Sequence, residues 1–146
     1  MKNKILYHGS VKKIKGQFLI PQKPQDLERE KENLLKAVYA TDIKNSAIAM
    51  AIINARGVIS GTLKYKKMSV IYEGWPKQKY IYLYSLSSDL FKKNSKKSHQ
   101  WISASKVKPI KINKLEIKDY LKLVRKAKKK ELINFFKRYK IKNQLK

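Results

Sequence analysis

The sequence predicts an α+β fold, and three stretches carry that expectation. Tyr80-Ile81-Tyr82-Leu83-Tyr84-Ser85-Leu86 alternates at a period of two, as a half-buried strand does. From Ile43 to Ala55 the spacing changes to i, i+3/i+4 through Ile43, Ala47, Met50, Ala51 and Asn54, a helical face. The last 29 residues, from Lys118, set apolar stripes (Tyr120, Leu121, Val124, then Leu132, Ile133, Phe136, Tyr139) among 10 Lys and 2 Arg, with 1 Asp and 1 Glu. They read as one or two docked basic helices with a net charge of +10, or as a separate nucleic-acid-binding tail.

The remaining elements follow in order. Residues 4–8 form a first strand that ends at Gly9-Ser10. Residues 11–27, with Pro21 and Pro24, form a loop with a short extended piece at Gln17–Ile20. Asp26–Lys36 suits a short helix, and Ala37–Ala40 a second strand. Thr41 or Asp42 offers an N-cap for the helix at Ile43–Ala55, and Gly57 and Gly61 bracket its exit. Thr62–Tyr72 and Lys79–Leu86 read as strands, and Asp89–Ser98 as a polar, lysine-rich excursion. Gln100–Ala104 and Val107–Ile112 are two further strands, with Pro109 best placed at a sheet edge.

Composition narrows the functional classes. A chain of 146 residues with 42% hydrophobic residues suits one self-sufficient domain, 1–146, with 118–146 as a basic helical extension. Without cysteine there are no disulfides, thiolate metal ligands or cysteine nucleophiles. Its two histidines leave no expected metal site. The longest apolar run, Ala47–Ile53, is too short to span a bilayer, and the N-terminal stretch lacks the h-region of a signal peptide. The expectation is a soluble, cytoplasmic protein with no membrane partner.

The net charge is +26, yet only four basic residues are arginine: Arg29, Arg56, Arg125 and Arg138. Lysine supplies point charge, whereas arginine supplies the bidentate contacts favoured in base and phosphate readout. The surplus is therefore either a solvated surface or a face for a polyanion. Under both readings the protein binds nucleic acid non-specifically at low salt.

Two short segments are more specific. Leu6-Tyr7-His8-Gly9-Ser10 closes the first strand. Val38-Tyr39-Ala40-Thr41-Asp42 closes the second, with Ser46-Ala47 on the helix that follows. This pair, about thirty residues apart, resembles the ADP-ribosyltransferase superfamily of poly(ADP-ribose) polymerases and diphtheria-toxin-like proteins. The likeness extends over residues 4–112, though its specific part is under a dozen residues. It implies a split, mostly antiparallel sheet with flanking helices that binds NAD as substrate and transfers ADP-ribose. In those terms His8 bonds a ribose hydroxyl, Gly9 offers its main chain to the nicotinamide carboxamide, and Ser10 adds a hydroxyl nearby. Tyr39 stacks on the nicotinamide ring.

The third family position, a glutamate on a late strand, corresponds here to Gln100 in His99-Gln100-Trp101-Ile102-Ser103. Glutamine can bond a ribose hydroxyl, but it lacks the charge that stabilises the developing cation. Of the later acids, Glu73 reads as part of a turn, while Glu116 and Asp119 read as first-turn residues of the C-terminal helix. His99 points to the opposite strand face from Gln100, so it is not expected to partner His8. Tyr80, Tyr82 and Tyr84 share a strand face and read as packing before base stacking.

Two alternatives stay open. One is a catalytically inactive member of the same fold acting as a basic nucleic-acid-binding module. The other is the fold-related RNA 2′-phosphotransferase, disfavoured because only Arg29 and Arg56 fall in the first half of the chain. The sequence identifies neither the acceptor, a nucleic acid or a protein, nor the oligomeric state.

Overall fold

A computed structural model describes residues 4–23, 36–93, 95 and 98–144, with backbone alone from 139 onward. The elements are β1 (Ile5–Ser10), β2 (Val38–Thr41), α1 (Lys44–Ile53), β3 (Val58–Thr62), β4 (Ser69–Gly74), β5 (Tyr80–Ser87), β6 (Lys92–Lys93), β7 (Gln100–Ser103), β8 (Lys111–Glu116), β9 (Val124–Lys126) and α2 (Lys129–Gln144). Short 3₁₀ segments, Ser88–Leu90 and Ile117–Leu123, follow β5 and β8. One sheet is six-stranded and antiparallel, in the order β6-β7-β2-β1-β5-β8. The other has the order β3-β4-β9, with β4 and β9 parallel. The chain is thus α+β with a mostly antiparallel core. The helix expected at Asp26–Lys36 falls, all but its last residue, outside the described residues.

α1 packs on both sheets, touching β1, β2 and β5 on one side and β3, β4 and β9 on the other. Ser46, Ala47, Ile48, Ala49, Ala51, Ile52 and Ile53 are all buried. A helix buried on all sides needs no polar face, which corrects the single stripe read from the sequence. Met50 is half-buried and Asn54 exposed. The expected cap also differs: the Thr41 hydroxyl accepts from the Ile43 N–H at 3.1 Å, a local turn, and α1 starts at Lys44 with no side-chain cap.

The far face of the six-stranded sheet buries Leu6, Val38, Ala40, Tyr84 and Leu86 under loop 11–23, whose Leu19 joins them. Each buried leucine or valine among them contributes about 1.5–3 kcal/mol. Leu19 and Val107 exchange backbone hydrogen bonds of 2.8 and 2.9 Å, so the extended piece expected at Gln17–Ile20 exists as a single bridge. The Tyr84 hydroxyl accepts from the Ile14 N–H at 2.9 Å and ties the same loop down.

Four further expectations are corrected. Thr62–Tyr72 is not one strand but the β3–β4 hairpin, turned at Tyr65–Lys67 with Lys66 at φ 61. A lysine in the left-handed region leaves no Gly or Asn signal to read. The strand expected at Val107–Ile112 runs instead at Lys111–Glu116, because Pro109 has no N–H for a ladder. Glu73 lies in β4, opposite Ser60, instead of in a turn. Finally, of the extension expected to be helical from 118, only Lys129–Gln144 is α-helix. Before that, Ile117–Leu123 is 3₁₀ and β9 adds itself to β4.

α2 is anchored at its first turn. Arg125 of β9 grips Glu131 with two bonds of 2.7 and 2.9 Å, and Glu131 accepts from the Lys128 N–H at 2.8 Å, half of a capping box. The bond from Arg125, then that from Lys128, lowers the Glu131 pKa from 4.5 to about 2. A carboxylate with a depressed folded pKa stabilises above its ordinary value and loses that contribution as pH falls through the folded one. Glu131→Gln should therefore melt below wild type at pH 6, and the gap should close between pH 4.5 and 2. Thermal melts across that range check it.

Candidate functional site

β1 pairs with β5 along all six of its residues, from Ile5↔Ser87 to Ser10↔Tyr82. With β2 it shares one register pair among the described residues, Tyr7↔Thr41. Continuing that ladder would set Gly9 opposite Tyr39. Instead the strands part, and both border a cleft of about 950 Å³ that α1 and loop 11–23 also line. That volume falls within the range of roughly 300–1,000 Å³ usual for small-molecule sites. His8, Gly9, Ser10, Tyr39 and Gln100, the five residues singled out in the sequence, all border it.

His8 is half-buried on the strand face it shares with Leu6 and Tyr84, its ring centre 6.0 Å from that of Tyr84. Its Nδ1 lies 2.6 Å from the Tyr39 carbonyl oxygen. A carbonyl only accepts, so Nδ1–H donates, and in the neutral ring Nε2 is left as an acceptor. Desolvation lowers the His8 pKa below 6.5 and outweighs the opposing effect of the carbonyl bond. The imidazole is therefore neutral at pH 7. The direct link between the two residues is thus imidazole to main chain: His8 staples β2 to β1 just where the ladder stops.

Gly9 has a role the sequence reading did not assign. A Cβ there would lie 2.0 Å from the Ala47 carbonyl oxygen and 3.1 Å from the Ala51 Cβ. Glycine is what lets α1 press against β1, and the small residues of α1 complete the contact. Ser10 closes a tight turn into the loop. Its hydroxyl donates to the Lys12 carbonyl at 2.8 Å and accepts from the Lys12 N–H at 3.3 Å, so its oxygen already has local work.

Tyr39 is half-buried and alternates with Val38 and Ala40, whose side chains enter the far core. It therefore shares the opposite face with Thr41, and Gln100, the register partner of Thr41, lies on that same face. His99 is directed elsewhere, with Nδ1 3.5 Å from Asp42 and its ring 5.3 Å from Tyr65.

No carboxylate occurs among the described residues that line the cleft, whereas Lys15, Lys23 and Lys106 do line it. Lys106 stands over the Phe18 ring at 4.5 Å. Such a cleft favours an anionic ligand with an apolar or aromatic portion. Tyr65 and Lys106 had no sequence signal: the first sits in a turn without turn residues, and the second follows β7 by three positions. Glu73, Glu116 and Asp119 do not line the cleft, nor does Arg56, while Arg29 lies outside the described residues. Among the described residues no group of three His, Asp or Glu side chains is placed to hold a metal, and no helix is long and apolar enough to cross a membrane. Neither a family model nor a curated protein nor a solved structure matches the chain.

Proposed function

We propose that the cleft binds NAD and that the protein is an ADP-ribosyltransferase. The observation that carries this reading is a shared border: His8, from the sheet face of Leu6 and Tyr84, and Gly9, Tyr39 and Gln100, from the opposite face, line one lysine-lined cleft free of carboxylate among its described residues. Tyr39 offers a flat wall for the nicotinamide ring. The Gly9 main chain faces the carboxamide, and Nε2 of neutral His8 accepts from a ribose hydroxyl. The lysines balance the diphosphate.

The reaction follows from those contacts. The bond between the anomeric carbon and the pyridinium nitrogen breaks with its electron pair passing to nitrogen, and nicotinamide leaves neutral. An acceptor lone pair then bonds that carbon, and the acceptor proton passes to solvent. Gln100 bonds the 2′-hydroxyl, but as a neutral amide it gives the oxocarbenium-like state less electrostatic support than a carboxylate gives.

His8→Ala and Tyr39→Ala should each weaken NAD binding about three- to tenfold, the usual worth of one hydrogen bond or one aromatic stack. Titration calorimetry checks this, alongside nicotinamide release with RNA, DNA and protein acceptors. Wild-type affinity in both variants removes the reading. A second reading, a non-catalytic member of the fold that binds nucleic acid, is favoured by the lack of a carboxylate among the described residues of the lining. It predicts no nicotinamide release with any acceptor.

A further inference from the structure

The six-stranded sheet carries, beside the cleft, a surface that nicotinamide chemistry does not use. Register aligns Ser10, Tyr82 and Lys114 in one row across β1, β5 and β8, and sets Tyr80 opposite Glu116 in the next. Tyr84, one row inward, is fully buried. Tyr80 and Tyr82 stay half-buried. Two ammonium groups converge on the Tyr80 ring, Lys114 at 4.1 Å and Lys79 at 5.3 Å from its centre. Glu116, the carboxylate of these rows, is already paired with Lys118 at 3.2 Å. Exposed Lys12 and Lys13 continue the positive charge along the loop that leaves Ser10, and Ser10 itself borders the cleft.

Two like charges over one partly exposed ring repel each other, and cation–π attraction offsets only part of that. An anionic group draws the ammonium groups off the ring and onto itself, and the ring face they leave takes a flat group. Both belong to one ligand class.

We propose that this Tyr80–Tyr82 platform binds single-stranded nucleic acid, with bases on the rings and phosphates on Lys79 and Lys114, and leads the strand past Ser10 to the cleft. A duplex keeps its bases stacked on one another, so only an unpaired base can lie on a tyrosine face. An acidic peptide would satisfy the lysines and leave the rings unused. That the strand is the acceptor for ADP-ribose rests on the NAD reading above; its binding does not.

The test is fluorescence anisotropy with a labelled oligo(dT) of about 15 nucleotides at roughly 0.15 M salt, where diffuse charge binding is weak. No NAD is present, so failure here is distinct from failure of the cleft reading. The combined variant Tyr80→Ala/Lys114→Gln should lose about tenfold or more in affinity, from one lost base stack and one lost phosphate contact. Tyr80→Phe, which keeps the ring, should bind as wild type. Lys137→Gln/Arg138→Gln, which removes more charge from the exposed face of α2, should lose less than about threefold. Circular dichroism melts verify that each variant is folded. Equal losses in the platform and α2 variants, loss in Tyr80→Phe matching that of the combined variant, equal affinity for the duplex, equal competition by polyglutamate, or no binding at this salt would each overturn the proposal.

Discussion

Gly9→Ala is expected to destabilise the protein by about 3 kcal/mol or more, the upper end of overpacking effects. The added methyl meets the carbonyl oxygen of Ala47 at 2.0 Å, and that atom belongs to the backbone of a helix held between two sheets. No rotamer change relieves such a contact, so α1 must withdraw from β1 or the strand must bend. For a chain of this size the melting temperature should fall by roughly 6–12 °C. Gly16→Ala is the control: Gly16 also borders the cleft, but a Cβ there meets nothing within 4 Å. It should melt as wild type. Equal melting of the two variants would show that Gly9 does not set the distance between β1 and α1.

Gln100→Glu should raise nicotinamide release about a hundredfold, because oriented charge at a developing cation is worth roughly 10²–10³ in rate. The position is half-buried on β7, on the face of Thr41 and Tyr39, and the described cleft lining otherwise lacks a carboxylate. Glutamate is nearly isosteric with glutamine, so the substitution alters charge with little change of shape. The gain should vanish in Gln100→Glu/Tyr39→Ala, which lacks the wall proposed to orient the nicotinamide. A rate unchanged by Gln100→Glu would place the 2′-hydroxyl, or NAD itself, away from Gln100.

The sequence was informative where a local pattern and the tertiary fold agreed. The strand expected at Lys79–Leu86 became β5, displaced by one residue at each end, and His8-Gly9 and Tyr39 stand on strands that border the same cleft. It was silent where tertiary contacts decide. Three residues of β9 are too few to carry a period, and they read as helix until β4 supplies a parallel partner. Lys66 turns a hairpin without a turn residue, which hid both the β3–β4 boundary and Tyr65 at the cleft. Gly9 could be read as an opening for a ligand, but its second constraint, the Ala47 carbonyl, comes from a helix nearly forty positions away. Likewise, residue types alone could not show that the His8 imidazole bonds the Tyr39 main chain rather than facing its phenol.

A crystal soaked with NAD tests the shared pocket most directly. The expected electron density has the pyridinium ring against Tyr39, the carboxamide on the Gly9 main chain and a ribose hydroxyl within hydrogen-bonding reach of His8 Nε2. A dinucleotide bound elsewhere, with His8 and Tyr39 both uncovered, contradicts it.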